Sequence, residues 1–169
     1  MPSPAGESLR VSVLSAEPGH VLGVVDNVLV ALTREPPSVD SVQGFTERAE
    51  QLIAKHPEGI AVLIIPRAPK PALRPGVPRA VLRAWRALQP RLTSCAVLIR
   101  SGGVAGALQR GLITPLINSS PNALPVKLCA SPYDAAEWIA RHGSAREGES
   151  LALGRAVAAF VQEHEAQQS

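Results

Sequence analysis

Short apolar runs separated by turn residues recur along the chain and predict the strands of a β-sheet. Residues 9–15 alternate apolar and polar side chains, which is typical of a strand with one buried face. Apolar runs at 21–25 and 28–34 flank Asp26 and Asn27, a pair that tolerates positive φ and predicts a tight hairpin turn. Later runs are apolar throughout, as in parallel strands that are covered on both faces. They lie at residues 60–65, 94–99 and 126–130.

Apolar residues at helical spacing predict helices between and after these runs. The predicted helices begin near residues 38, 78, 104, 131 and 150. The segment 66–78 is rich in proline, which predicts an exposed loop because proline lacks a backbone donor. The helix at 104–117 is apolar on almost every side, and such a helix is normally buried or covered by a partner.

The order of these elements predicts an α/β fold: a mixed sheet of five to six strands with a parallel βαβαβ core, helices packed on the sheet, and an extra C-terminal helix. We assign residues 9–143 to this domain and expect residues 1–8 to be disordered. Residues 144–169 are interpreted as a linker and a C-terminal amphipathic helix. The chain has 169 residues and 46% hydrophobic residues, enough for one such core.

The composition narrows the choice of cellular compartment and of binding partner. The N-terminal sequence lacks the basic and apolar regions of a signal peptide, and no apolar run reaches the roughly 20 residues of a membrane span. We therefore expect a cytoplasmic protein, and the bias toward Ala, Arg and Pro suggests a bacterial source. Aromatic residues make up only 3% of the chain, which argues against nucleic-acid binding by base stacking. A basic stripe at Arg79, Arg83 and Arg86 has no accompanying reader motif, so we expect no nucleic-acid partner.

The stretch 59–133 contains no Asp or Glu, although the chain carries 14 acidic residues and a net charge of +3. The carboxyl ends of the predicted parallel strands fall in this stretch, and ligands usually bind at that edge of an α/β sheet. Magnesium sites and two-carboxylate hydrolysis therefore lack their acidic residues there. The sequence predicts no metal and no other cofactor.

Nucleophilic catalysis needs a Ser or Cys beside a His. The chain has four histidines, and no motif places any of them next to a nucleophile. Cys95 and Cys129 both fall inside predicted strands, and no metal-ligand spacing is present. We interpret them as reduced core thiols; a disulfide would require neighbouring strands and an oxidising compartment. We therefore predict no enzyme and no catalytic residues.

Two segments resemble the STAS domain, the family of anti-sigma-factor antagonists and their relatives. One is the apolar hairpin that leads through a helix to the strand IAVLII, and the other is the ending PVKLCASPYDAAEWIARH. The positions of that ending which match the family pattern are Ser131, Pro132, Ala136, Trp138 and Ile139. The block IRSGGVAGALQRGLITPLI is similar to a segment of uncharacterised bacterial STAS-like proteins, and the resemblance spans about residues 21–142. It implies the STAS fold and a regulatory role through protein contacts.

The family's phosphorylatable serine motif is missing from its expected place. After the strand IAVLII this chain has Pro66-Arg67-Ala68-Pro69 instead of a motif with a serine at a helix start. Regulation by phosphorylation at that site is therefore not carried over to this chain.

These observations leave two functional hypotheses. The first is a non-enzymatic signalling module that contacts another protein, or a second copy of itself as a homo-oligomer, through the helix at 104–117. The residues predicted to form that surface are Val104, Leu108, Leu112 and Leu116. The alternative is a module that binds an anionic small molecule, such as a nucleotide or a lipid headgroup, at the strand ends. The residues predicted to bind the anion are Arg67, Arg100, Ser101, Gly102 and Gly103.

Overall fold

The structure, a computed structural model, describes residues 8–67, 74–99, 124–143 and 149–166. Within these residues lies a six-stranded mixed sheet whose strands are adjacent in space in their chain order. The strands are β1 (Ser12–Glu17), β2 (His20–Val25), β3 (Val28–Thr33), β4 (Ile60–Pro66), β5 (Leu92–Leu98) and β6 (Val126–Cys129). The first three pair antiparallel, and β3 to β6 pair parallel. The predicted α/β fold with a mixed sheet is confirmed.

Four helices pack on this sheet in the described residues. They are α1 (Val39–Lys55), α2 (Val77–Leu88), α3 (Pro132–His142) and α4 (Glu149–Ala166), and a short 3-10 turn follows α2 at Gln89–Arg91. Ser38 and Ser131 cap α1 and α3, because each hydroxyl accepts a hydrogen bond from the backbone N–H three residues later. No helix in the described ranges is both long and apolar enough to cross a membrane.

The hairpin turn between β2 and β3 forms where the sequence predicts it. Asp26 adopts φ 51°, as a tight turn requires. The neighbouring Asn27 ties this turn to the start of β4: its carbonyl accepts from the Ala61 N–H at 3.0 Å, and its side-chain amide donates to the Gly59 carbonyl at 3.3 Å. These bonds join the antiparallel half of the sheet to the parallel half.

Strand alternation sends side chains to two separate cores. On one face, β2 to β6 pack against α3 and α4, with Leu63 and Val157 fully buried. On the other face, the sheet packs against α1 and α2, with Leu29 and Ala49 fully buried. Because both faces are covered, the central strands are apolar throughout, as the sequence pattern indicated.

The first strand begins later than expected. The alternating pattern predicts a strand from residue 9, whereas β1 begins at Ser12, opposite Val24 near the end of β2. Residues before Ser12 have almost no strand left to pair with, so Leu9 and Val11 pack as side chains on the core. A register shift between Val13 and Ser15 bulges this edge strand.

Candidate functional site

Arg67 lies at the carboxyl end of β4, as the sequence predicts, but its charge has a partner within the protein. Its Nε donates to Oε1 of Glu165 near the end of α4 at 2.7 Å, and the Arg67 side chain is only 13% exposed. Arg34, just after β3, donates from Nη2 to the carbonyl oxygen of His164 at 2.7 Å. Two arginines from neighbouring parallel strands therefore hold the C-terminal end of α4, where the helix dipole is negative.

An anion at this edge of the sheet would have to displace the Glu165 carboxylate from Arg67. The other residues predicted for the anion site, Arg100, Ser101, Gly102 and Gly103, lie outside the described residues. The predicted partner surface of Val104, Leu108, Leu112 and Leu116 also lies outside them. Both assignments stay predictions.

A groove lies between the α1–α2 layer and the sheet, with a volume of about 950 Å³. We call it the α1–α2 groove. The sheet side is lined by apolar residues that include Leu22, Ala31, Val62 and Val97, each at most 4% exposed. The helix side is lined by Val42, Phe45, Val81, Ala84, Trp85 and Leu88. This volume and mainly apolar lining are typical of a site for a small molecule.

Small residues on facing elements leave room for this groove. Gly44 of α1 lines it, and a Cβ placed on Gly44 would meet no atom within 4 Å. Ala31 of β3 and Ala84 of α2 line it as well, where a larger side chain would occupy the space. The groove therefore depends on short side chains contributed by three elements.

Trp85 lines the groove, but the polar atom of its side chain is closed off from it. It projects from α2, lines the groove, and its indole Nε1 is buried without a hydrogen-bond acceptor. A buried donor without a partner costs about 1–3 kcal/mol. This nitrogen has no exposed surface, so a molecule bound in the groove does not reach it.

The ionisable residues of the groove lining that the structure describes are mainly acidic. They are Glu17, Glu35, Asp40 and Glu47, against Arg48, Arg74 and His20. Glu35 packs on the β1–β2 turn, because a Cβ on Gly19 would lie 3.0 Å from its Oε2, and the Glu35 N–H donates to the Gly19 carbonyl at 3.2 Å. These described lining residues thus carry more negative than positive charge, opposite in sign to the net charge of the chain, +3.

The described residues bring no nucleophile and histidine together. His56 bonds to Glu58, His142 bonds to a backbone carbonyl, and His20 lies 3.8 Å from Glu17. His164 is buried at 7% exposure beside the ring of Phe160, and both its ring nitrogens lack a partner. The same ranges hold no group of three or more His, Cys, Asp or Glu side chains that would bind a metal ion.

The two cysteines lie on neighbouring strands but point to opposite faces of the sheet. Cys95 of β5 belongs to the core under α1 and α2, whereas Cys129 of β6 belongs to the core under α3 and α4. Burial raises the pKa of the Cys95 thiol to about 12 and that of Cys129 to about 11. Both are free thiols, as the sequence predicts.

The groove was missed by sequence reasoning. Its described lining comes from the β1–β2 turn, α1, α2 and all six strands, so no local motif marks it. The acid-free stretch 59–133 points to a site at the carboxyl ends of the strands. The described acidic side chains of the groove come instead from the first 47 residues.

No protein-family model matches the chain, and no curated protein matches it. The resemblance to STAS domains therefore rests on the sequence segments alone.

Proposed function

We propose that this protein is a non-enzymatic binding module that holds a small, mainly apolar molecule in the α1–α2 groove. The observation that carries the proposal is the groove itself, about 950 Å³ with an apolar floor of buried strand residues. Water in such a space gains few hydrogen bonds, so an apolar ligand that replaces it is favoured. The STAS resemblance implies a regulatory role through protein contacts, and the non-enzymatic part of the proposal rests on the lack of a nucleophile–histidine motif in the sequence.

The test is a titration of the full chain with N-phenyl-1-naphthylamine, a neutral probe that fluoresces in apolar surroundings. We expect saturable binding by the wild type and markedly weaker binding by Ala84→Phe, which fills the groove from α2. Ala87→Phe is the matched control, because Ala87 is on the exposed side of the same helix. Thermal melting establishes that both variants fold. Absence of saturable binding by the wild type, or equal binding by both variants, would overturn the proposal.

A second readout locates the probe. The chain has two tryptophans, Trp85 in the groove lining and Trp138 packed against the core on the opposite face of the sheet. In a Trp138→Phe variant the remaining emission comes from Trp85, and we expect binding to quench or shift it. In a Trp85→Phe variant the emission of Trp138 should not respond.

A second candidate function is the STAS-like protein-interaction role, and the edge strand β1 favours it. This strand ends the sheet, and its Val13 and Leu14 side chains are 48% and 37% exposed. An exposed apolar edge is a site for pairing with another strand. Sedimentation of wild type and Leu14→Lys tests self-association: a wild type that is monomeric at all concentrations and captures no partner in a pull-down removes this candidate.

A further inference from the structure

We propose that the ligand of the α1–α2 groove is a cationic amphiphile, with an apolar body on the sheet and a positively charged head beside Glu35 and Asp40. This inference rests on the proposed function and adds the charge of the ligand to it. It is separate from the alternative hypothesis from the sequence, an anionic ligand at the strand ends beside Arg67, Arg100 and Ser101–Gly103, because none of these residues is among the described residues of the groove lining.

Backbone hydrogen bonds hold together the part of the groove lined by Glu17, Glu35 and Asp40, which we call the acidic end. The Gly19 carbonyl of the β1–β2 turn accepts from the N–H groups of Arg34 and Glu35 at 2.8 and 3.2 Å. This contact fixes the segment after β3 against the turn, so Glu17 and Glu35 lie on the same side of the groove. Asp40 follows in the first turn of α1 and also lines it.

These carboxylates are available to a ligand. Neither Glu35 nor Asp40 forms an ion pair with a described residue, and both are exposed. Among the described residues, the ion-pairing partner of Glu17 is His20, whose Nε2 lies 3.8 Å from its Oε2. Unpaired acids around an apolar space attract a cation and repel an anion.

The basic residues of the lining do not cancel this charge. Arg48 donates to the Gln51 side chain at 3.2 Å on the surface of α1 and forms no ion pair with a described acidic residue. Arg34 is turned away to the His164 carbonyl on the other face of the sheet. Among the described lining residues, four carboxylates therefore face two guanidinium groups, of Arg48 and Arg74, and one imidazole, of His20.

The experiment compares two probes with the same chain length, decyltrimethylammonium and decanoate, each titrated below its micelle concentration and read by displacement of N-phenyl-1-naphthylamine. We expect the cation to bind about fivefold more tightly at low salt, since each exposed charge contact contributes only a little. The preference should shrink as salt rises. Tighter or equal binding of decanoate would overturn the inference and leave the proposed function standing. Failure of both alkyl probes and of the naphthylamine to bind would instead overturn the proposed function.

Substitutions test whether the carboxylates of the acidic end cause the preference for the cationic probe. The double variant Glu35→Gln, Asp40→Asn should lose most of the cation preference while it keeps the binding of the neutral probe. Glu50→Gln is the control, because Glu50 is exposed on α1 and lies outside the groove lining. A cation preference that survives the double variant, or falls equally in the control, would contradict the role of these carboxylates.

Discussion

Arg67 and Glu165 are joined by a 2.7 Å charge-assisted hydrogen bond although 98 residues separate them in the chain. The guanidinium follows a central parallel strand, and the carboxylate belongs to the last turn of α4. This bond and the neighbouring bond from Arg34 fasten the terminal helix to the edge of the sheet where α/β proteins usually bind ligands.

Breaking this ion pair should destabilise the fold. We expect Arg67→Gln to lower the free energy of unfolding by about 1–2 kcal/mol, because the mostly buried partner of a charged hydrogen bond is lost. Arg141→Gln is the matched control: Arg141 bonds to Glu137 at the same 2.7 Å, but both side chains are 65% exposed. Its loss should cost less than about 0.5 kcal/mol. Urea unfolding of both variants measures the difference, and equal costs would contradict the prediction.

Two glycines in helices should respond to alanine with opposite signs. Gly44→Ala places a Cβ in open space and should stabilise the protein by about 0.5–1 kcal/mol through helix propensity. Gly154→Ala places a Cβ 2.6 Å from Cδ1 and 3.3 Å from Cα of Tyr133, where α3 meets α4. Overpacking at that point should cost about 1–3 kcal/mol. Thermal melting of the two variants checks the signs, and a stabilised Gly154→Ala would show that α3 and α4 separate easily.

Neither cysteine should react while the protein is folded. Their raised pKa values, about 12 for Cys95 and about 11 for Cys129, leave almost no thiolate at neutral pH. Ellman's reagent should label neither thiol in native buffer and both in denaturant. Mild oxidants should form no internal disulfide, because the two side chains point to opposite faces. A rapid native reaction at one site would reveal local opening of the sheet.

Acid should remove a contribution that Asp134 makes to stability. The hydrogen bond from Lys127 Nζ at 2.6 Å, together with a backbone bond from Ala130, holds the pKa of this carboxyl below its ordinary value of 3.8. A group whose folded pKa is lowered stabilises the fold above its unfolded pKa, and the contribution is lost as pH falls through the folded value. Asp134→Asn should therefore be less stable than wild type at neutral pH, with a gap that closes in acid. Urea unfolding at several pH values checks this, and a constant gap would contradict it.

Much of the fold could be predicted because it depends on local pattern. The apolar runs predicted β2 to β6, and Ser38 and Ser131 signalled the starts of α1 and α3 through hydrogen bonds within one turn. Strand pairing is less local: the bulge in β1 and its late start depend on where β2 ends.

The candidate site could not be predicted in the same way. Arg67 was correctly placed at a strand end, but the sequence gives no sign that Glu165, 98 residues later, neutralises it. The groove arises because Ala31, Gly44 and Ala84 meet across two layers, and each alone is an ordinary small residue. Only the packing of α1 and α2 over the sheet brings them together.

The position of α4 has a consequence for synthesis on the ribosome. The strands β2, β3 and β4 are complete by residue 66, yet the two helices that cover one of their faces, α3 and α4, begin at residues 132 and 149. At about 5–20 residues per second, the 98 residues between Arg67 and its partner take roughly 5–20 s to translate. Until α3 and then α4 have been translated, the nascent chain carries an apolar sheet face that is not fully covered, and we expect chaperones that bind such surfaces to hold it.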